Sequence, residues 1–285
     1  MRIIRTTFLL GALTLVLMMV GQYFGGRNGM TFGLGIAIVT NAFAYFFSDK
    51  IALASSGAQP VSREQLPRLY DVMERLAAKN NIPVPRLYVI PEPAPNAFAT
   101  GRNPRHASVA VTQGLLELMN DEELEGVIAH ELSHVRNYDI LISSIAATLA
   151  GAITWIAHWG PWLGMGDGDD DRDRGGGWIF ALLLMILAPL GALLLQLGLS
   201  RQREFSADET GARMVGNPYG LISALQKLEA YNNRIPTTAI PPSTAALCIV
   251  RPRFGRGSIS SLFSTHPPLE ARIAALRAMT VVPSR

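Results

Sequence analysis

Cysteine is almost missing from this chain. Cys248 stands alone among 285 residues, which excludes an intramolecular disulfide and any Cys-x-x-Cys metal knuckle and fits a reducing compartment. Charge is scarce as well: Asp, Glu, Lys and Arg make up 16% of the residues against 49% hydrophobic ones. With a mean hydropathy of +0.23, the chain is too apolar for an ordinary soluble protein and long enough for a membrane part plus a compact domain. The net charge of +3 is mild, and no run of Lys and Arg interleaved with aromatics occurs, which argues against nucleic-acid binding.

The apolar residues are concentrated in four runs, at about 7–25, 30–48, 140–163 and 177–199, each near the roughly 20 residues that a spanning helix needs. Asn41 limits the second run, and His158 with neighbouring tryptophans makes the third partly interfacial. Arg2 and Arg5 before the first run also suit a signal peptide, but no A-x-A-like cleavage site follows, so an uncleaved anchor is expected. By the positive-inside tendency these arginines keep the N-terminus cytoplasmic, and a hairpin turning at residues 25–29 returns the chain to that side. The expected organisation is a transmembrane hairpin over 1–48 and a first cytoplasmic part over 49–139. A second hairpin over 140–199 and a second cytoplasmic part over 200–285 follow. The Asp-rich, Gly-rich loop at 167–173 lacks a properly spaced bidentate glutamate for calcium and reads as a solvated turn.

His130-Glu131-Leu132-Ser133-His134 carries the chemistry. On a helix, an H-E-x-x-H pentad sets two imidazoles one turn apart on one face, able to share a metal ion, with a carboxylate beside them that can act on a metal-acidified water. Asn120 and Glu123 just before it read as a capping box, and Leu124, Val127, Ile128, Leu132 and Val135 recur at helical spacing. The bland alternative is a buried histidine pair in an ordinary helix. If residues 140–199 cross the membrane twice, everything after Ser200 returns to the side of the pentad and can supply a third ligand. Glu204 is the candidate, and Asp208, one turn later, could orient a ligating imidazole from behind. The same residues would also suit a juxtamembrane helix with surface ion pairs.

Of the remaining histidines, His266 in Ser264-Thr265-His266-Pro267-Pro268 is the polar candidate for a hydrogen-bond donor near the site, or else a helix-entry turn residue before a helix over about 269–279. Three short strands are expected at 86–90, 97–100 and 107–112, forming a small sheet. The stretch Asn96, Ala97, Phe98, Ala99, Thr100 has the composition of an edge strand that could accept an extended peptide, although an ordinary hairpin has it too.

Taken together, the pentad, Arg203-Glu204-Phe205-Ser206-Ala207-Asp208, Asn96-Ala97-Phe98-Ala99-Thr100-Gly101 and Phe263-Ser264-Thr265-His266-Pro267-Pro268 resemble the HtpX-type membrane zinc metalloproteases of bacteria, which are similar in their core to the CAAX prenyl endopeptidases. The resemblance spans nearly the whole chain. It implies a mainly α membrane protein with about four transmembrane helices and a cytoplasmic α+β zincin (gluzincin-like) domain. It also implies one zinc per chain on His130, His134 and Glu204, with Glu131 as catalytic base and Asp208 in support. The 96–100 edge would lie along the substrate, with His266 and Arg272 stabilising it. The implied setting is the bacterial cytoplasmic (inner) membrane, multi-pass, with the site facing the cytoplasm. The implied partners are membrane-protein and unfolded polypeptide substrates, the lipid bilayer and other membrane quality-control proteases. An intramembrane protease is disfavoured, because Asp121, Glu122, Glu123, Glu125, Arg136 and Asp139 flank the pentad with charge. A CAAX-type processing enzyme and a non-catalytic membrane scaffold are the competing readings.

Overall fold

The computed structural model describes residues 2–148, 201–232, 237, 240, 241, 244–250, 252 and 267–279. The first two apolar runs form one helical stretch, α1 (Arg2–Ser55), broken where Gly25 and Gly26 leave helical geometry and Gly26 takes a φ of +55°. The two limbs fold back on each other. Asn41 donates through Nδ2 to the Leu10 carbonyl (3.2 Å) and to Thr14 Oγ1 (2.9 Å), ties that span 31 and 27 residues of sequence. A methyl group on Gly21 would fall 2.1 Å from the Gly29 carbonyl oxygen, so the limbs touch backbone to backbone, as small residues permit in apolar helix pairs. Leu15, Met19, Phe32, Val39, Phe43 and Phe46 are exposed around this hairpin, a surface suited to lipid. Among the described residues one helix, Gly25–Ser55, is long and apolar enough to cross a membrane, and the apolar part of the first limb, Leu13–Tyr23, is shorter. The expectation of four spans is therefore met only in part. The third run is described to residue 148, and the fourth run and the Asp-rich loop lie outside the described residues.

The rest of the described chain runs β1 (Gln59–Pro60), α2 (Pro67–Lys79), β2 (Arg86–Ile90), β3 (Ala97–Gly101), β4 (Ala107–Thr112), α3 (Gln113–Leu118) and α4 (Asp121–Arg136). It continues with α5 (Asp139–Thr148), α6 (Arg201–Val215), α7 (Tyr219–Asn232) and α8 (Leu269–Arg277). The strands form one mixed sheet in the order β1-β2-β4-β3, with β2 parallel to β4 and β3 antiparallel to it. The expected strands are present, the middle one a residue longer, and β3 is an edge.

Helix α4 is the axis of the domain. Asn120 accepts from the Glu123 N–H and Glu123 reaches back to the Asn120 N–H, the capping box that the sequence suggests. The Glu123 carboxylate is also tied to α7, accepting from Ser223 (2.6 Å) and Lys227 (2.7 Å). Its buried stripe, Leu124, Val127, Ile128, Leu132 and Val135, joins Met73 and Leu76 of α2, Val109 and Val111 of β4, and Leu221 and Leu225 of α7 in one core. Glycines permit close helix contacts here. A methyl on Gly126 would meet the Leu221 backbone at 2.5 Å, and one on Gly211 of α6 would lie 3.0 Å from the His130 nitrogen. A second cluster, containing Ala52, Leu53, Ile90, Phe98, Ala147, Leu247 and Cys248, welds the end of α1 to the sheet.

Candidate metal centre

The 3.6-residue repeat of α4 stacks His130 and His134 edge to face, their ring planes 88° apart, with the two Nε2 atoms 3.3 Å from each other. Helix α6 packs along α4 at the Gly211 contact and so delivers Glu204 to the same point. Its Oε2 lies 3.7 Å from His130 Nε2 and its Oε1 3.7 Å from His134 Nε2. One donor atom from each residue falls within 4.8 Å of the others. Tetrahedral ligands at roughly 2.1 Å from zinc sit about 3.4 Å apart, so the spacing of these two nitrogens and a carboxylate fits a zinc ion. The donor set suits other divalent metals of the same class too.

A second layer of carboxylates backs each imidazole. Asp208, one turn beyond Glu204 on α6, places Oδ1 2.9 Å from His130 Nδ1, which orients the ring so that Nε2 faces the ligand cluster. Arg272 of α8 grips Asp208 with two bonds, Nε to Oδ2 (2.8 Å) and Nη2 to Oδ1 (2.7 Å), and spends Nη1 on the Ile249 carbonyl (2.7 Å). Burial alone would raise the Asp208 carboxyl, but Arg272 and His130 hold it below the usual range. Burial drives the His130 imidazolium below its ordinary value despite Asp208.

His134 has its own partner, Asp139, with Oδ2 3.5 Å from Nδ1. Burial pulls the His134 imidazolium down, yet Asp139, Glu204 and Glu131 outweigh it and lift the group to about 9. On a helix continued unbroken from the pentad towards Ile140, Asp139, five residues after His134, would lie on another face. Instead α4 ends at Arg136, and Tyr138 takes a φ of +59°, a left-handed conformation that a bulky residue rarely adopts. The reversal brings Asp139 back under the second histidine. The available signal was Asn137, a good helix-ending residue, three places after the pentad.

Glu131 is 1% exposed, and neither carboxylate oxygen completes a hydrogen bond of good geometry among the described residues. Burial pushes its carboxyl up to about 7, with His134, the Ala99 N–H and Arg272 offsetting only part of the effect. In the metal-free protein the carboxyl is thus held near neutrality, and a divalent cation beside it would favour the carboxylate, the form that acts as a general base.

The expected substrate edge needs narrowing. Asn96 is buried, and its side-chain amide donates to the Val250 carbonyl (2.9 Å). The Ala97 carbonyl already accepts from the Ile249 N–H (2.9 Å), and Phe98 forms an antiparallel bridge with Cys248. At the other end Thr100 bonds Ser144 of α5 (2.7 Å), and the same hydroxyl takes the Gly101 N–H (3.3 Å). The free edge of β3 is thus covered at both ends by the chain itself. By the alternation of an antiparallel pair, the backbone groups of buried Ala99 face away from β4 between those ends, its N–H towards Glu131. Arg272, expected to stabilise substrate, is 1% exposed, and its guanidinium faces Asp208, the Ile249 carbonyl and, at 3.8 Å, Glu204. His266 lies outside the described residues.

Comparison with known proteins agrees with this arrangement. The chain matches Peptidase family M48 over residues 63–280. It is 53% identical to a Protease HtpX homolog of Desulfatibacillum aliphaticivorans over 96% of this chain and 88% of that one. Another Protease HtpX homolog, from Pelotomaculum thermopropionicum, is 50% identical over 98% of this chain and 99% of its own length. The crystal structure of S. mikatae Ste24p superposes with a TM-score of 0.53 at 18% identity, covering 96% of this chain and 65% of that longer one, a likeness of fold. Sequence identity over nearly full length, together with the buried His130, His134 and Glu204 cluster, establishes that the chain belongs to peptidase family M48 and, within it, to the HtpX-type metalloproteases.

Proposed function

We propose that the protein is a membrane-anchored zinc metalloendopeptidase that cuts extended segments of membrane-protein and unfolded polypeptide substrates at the cytoplasmic face of the bacterial inner membrane. Such a role suits protein quality control and stress response beside other membrane proteases. The observation that carries the reading is the convergence of His130, His134 and Glu204 beside a buried, unbonded Glu131 carboxylate. His130, His134 and Glu204 hold one zinc ion, which when bound acidifies water and polarises a carbonyl group.

The protein's own residues do the remaining work. Glu131, buried and beside the ligand cluster, takes a proton from the attacking water and returns it to the departing amine. Asp208, clamped by Arg272, fixes the ring of His130. Asp139 does the same for His134. The outward carbonyl of Ala99 accepts from one residue of an extended substrate and sets it beside Glu131. His266 is proposed as a hydrogen-bond donor to the developing oxyanion. The proposed topology keeps four spans, with residues 49–139 and 200–285 together on the cytoplasmic side and 140–199 as a second hairpin.

The test pairs metal content with cleavage. Wild type and Glu131→Gln are purified in detergent with chelator, given zinc, and assayed on an unfolded polypeptide. Zinc-dependent cleavage by wild type and none by a variant that retains one zinc is expected. Stoichiometric zinc without hydrolysis by wild type would overturn the proposal in favour of a scaffold or a narrowly specific processing enzyme.

A further inference from the structure

We infer that one end of the sheet is a docking surface for anionic phospholipid headgroups, formed by Arg86, Arg102, Arg105 and Lys50. The inference rests on the reading of α1 as a membrane-spanning helix.

Sheet topology brings these residues together. Arg86 opens β2 and pairs with Ser108 near the start of β4, because the two strands are parallel. Gly101 closes β3 and pairs with Ala107, because those two are antiparallel. The starts of β2 and β4 and the end of β3 therefore share one end of the sheet, and the 101–106 turn carrying Arg102 and Arg105 projects from it. That turn is stiff. Pro104 opens a 3-10 turn, and the Asn103 side chain accepts from the His106 N–H (3.1 Å) and contacts its Nδ1 (2.8 Å).

The membrane helix meets the same end. The Arg102 guanidinium lies 5.6 Å from the centre of the Phe46 ring, and the Lys50 ammonium 5.2 Å from that of Phe47. Arg86 reaches Asp49 at 3.6 Å. Phe46 and Phe47 are the last residues of the apolar run and Ser48-Asp49-Lys50 the first polar ones, so this level of α1 corresponds to the boundary between hydrocarbon and headgroups, where aromatic rings collect. Lys50, Arg86 and Arg105 are exposed and Arg102 is half-buried. The acid drawn into the cluster among the described residues is Asp49, 14% exposed and already facing Arg86. Four cations against one mostly covered carboxylate, at the depth of the lipid phosphates, match an anionic surface and nothing apolar.

The consequence concerns where cleavage happens. Ala99 lies two residues, about 7 Å, up the strand from Gly101. Seating the 101–106 turn on headgroups would hold the outward face of Ala99, and Glu131 beside it, just above the lipid surface. Segments of substrate close to their own membrane boundary would then reach the site first.

The experiment uses the full chain in nanodiscs containing phosphatidylcholine and phosphatidylglycerol in equal parts, with retained lipids counted by native mass spectrometry. Wild type is expected to retain phosphatidylglycerol over phosphatidylcholine. The Arg102→Gln/Arg105→Gln variant is expected to lose that preference by about five-fold or more, the weight of one or two cations at such a surface. Arg213→Gln, which removes a surface cation paired with Glu209 on α6, is expected to leave it unchanged. Unchanged melting temperature and zinc content in the double variant certify its fold. Equal retention of both lipids by wild type overturns the inference, and so does a preference that survives the double substitution. Both leaflets of the disc carry the anionic lipid, so the outcome does not depend on which side the domain occupies. Protease accessibility in oriented membrane vesicles tests that sidedness separately.

Discussion

Removing the Asp208 carboxylate should damage the protein in two separable ways. Asp208 and Arg272 are 2% and 1% exposed, joined by two bonds of 2.8 and 2.7 Å. Asp208→Ala takes from the buried guanidinium its two-bond partner and leaves it the Ile249 carbonyl and a Glu204 oxygen 3.8 Å away, and breaking a buried pair from one side costs about 3–5 kcal/mol. The same substitution frees His130 Nδ1, and losing the group behind a ligating imidazole weakens metal binding by about 10–100-fold. Thermal unfolding in detergent without metal reads the first effect, and competition with a zinc chelator reads the second. Asp208→Leu combined with Arg272→Met removes both charges, so it should be markedly more stable than Asp208→Ala while still binding zinc weakly. Because the Asp208 carboxyl is held below its ordinary range, its stabilisation is full above the unfolded value near 4. It should be lost only as pH falls through the lower, folded value. Asp208→Ala costing less than about 1 kcal/mol, or a double variant no better than the sum of its parts, would refute the buried-clamp reasoning.

Metal-free protein should expose the strain on Glu131. With its carboxyl raised to about 7, folding holds a proton that the unfolded chain releases, so stability falls as pH rises from about 4.5 to 7 and is flat above. Metal-free Glu131→Gln should lack that slope and be more stable at pH 8 by up to about 3 kcal/mol, read from paired melts; parallel pH profiles would contradict it. Glu123→Ala should lose the capping box and the Lys227 and Ser223 ties, costing about 1–2 kcal/mol, with Asn120→Ala non-additive to it in a double-mutant cycle. Gly211→Val should wedge α6 from α4 at the His130 backbone and lower zinc affinity through displacement of Glu204, whereas Gly216→Ala, in open space, should affect stability only through its φ of +106°.

Much of the site's first half could be read from residue order. The capping box at Asn120, the apolar stripe from Leu124 to Val135 and the four-residue spacing of His130 and His134 all lie within one helix, whose geometry is set by local hydrogen bonds. The strands at 86–90 and 107–112 announced themselves by β-branched and apolar runs between prolines and glycines. Three features did not. The end of the pentad helix at Tyr138 depends on a left-handed residue that propensity disfavours. The partial cover on β3 comes from residues 248–250, about 150 positions away, whose short apolar run carries no sign of where it will pair. Nothing in the residues around Arg272 points to Asp208, 64 positions earlier, and only its burial there shows what it binds.

By itself, then, the order of residues determined the local pieces: a capped helix with two imidazoles on one face, apolar runs suited to a bilayer, and short strands. Each depends on periodicities of 3.6 or 2 residues, which a chain declares over a dozen positions. Tertiary structure alone decided that Glu204, 70 residues after His134, would lie 3.7 Å from it, that Asp139 would turn back beneath that histidine, and that residues 248–250 would cover one end of β3. Those outcomes depend on how helices and strands pack, at contacts such as Gly211 against His130, where the fit of two distant surfaces rather than any local preference sets the distance.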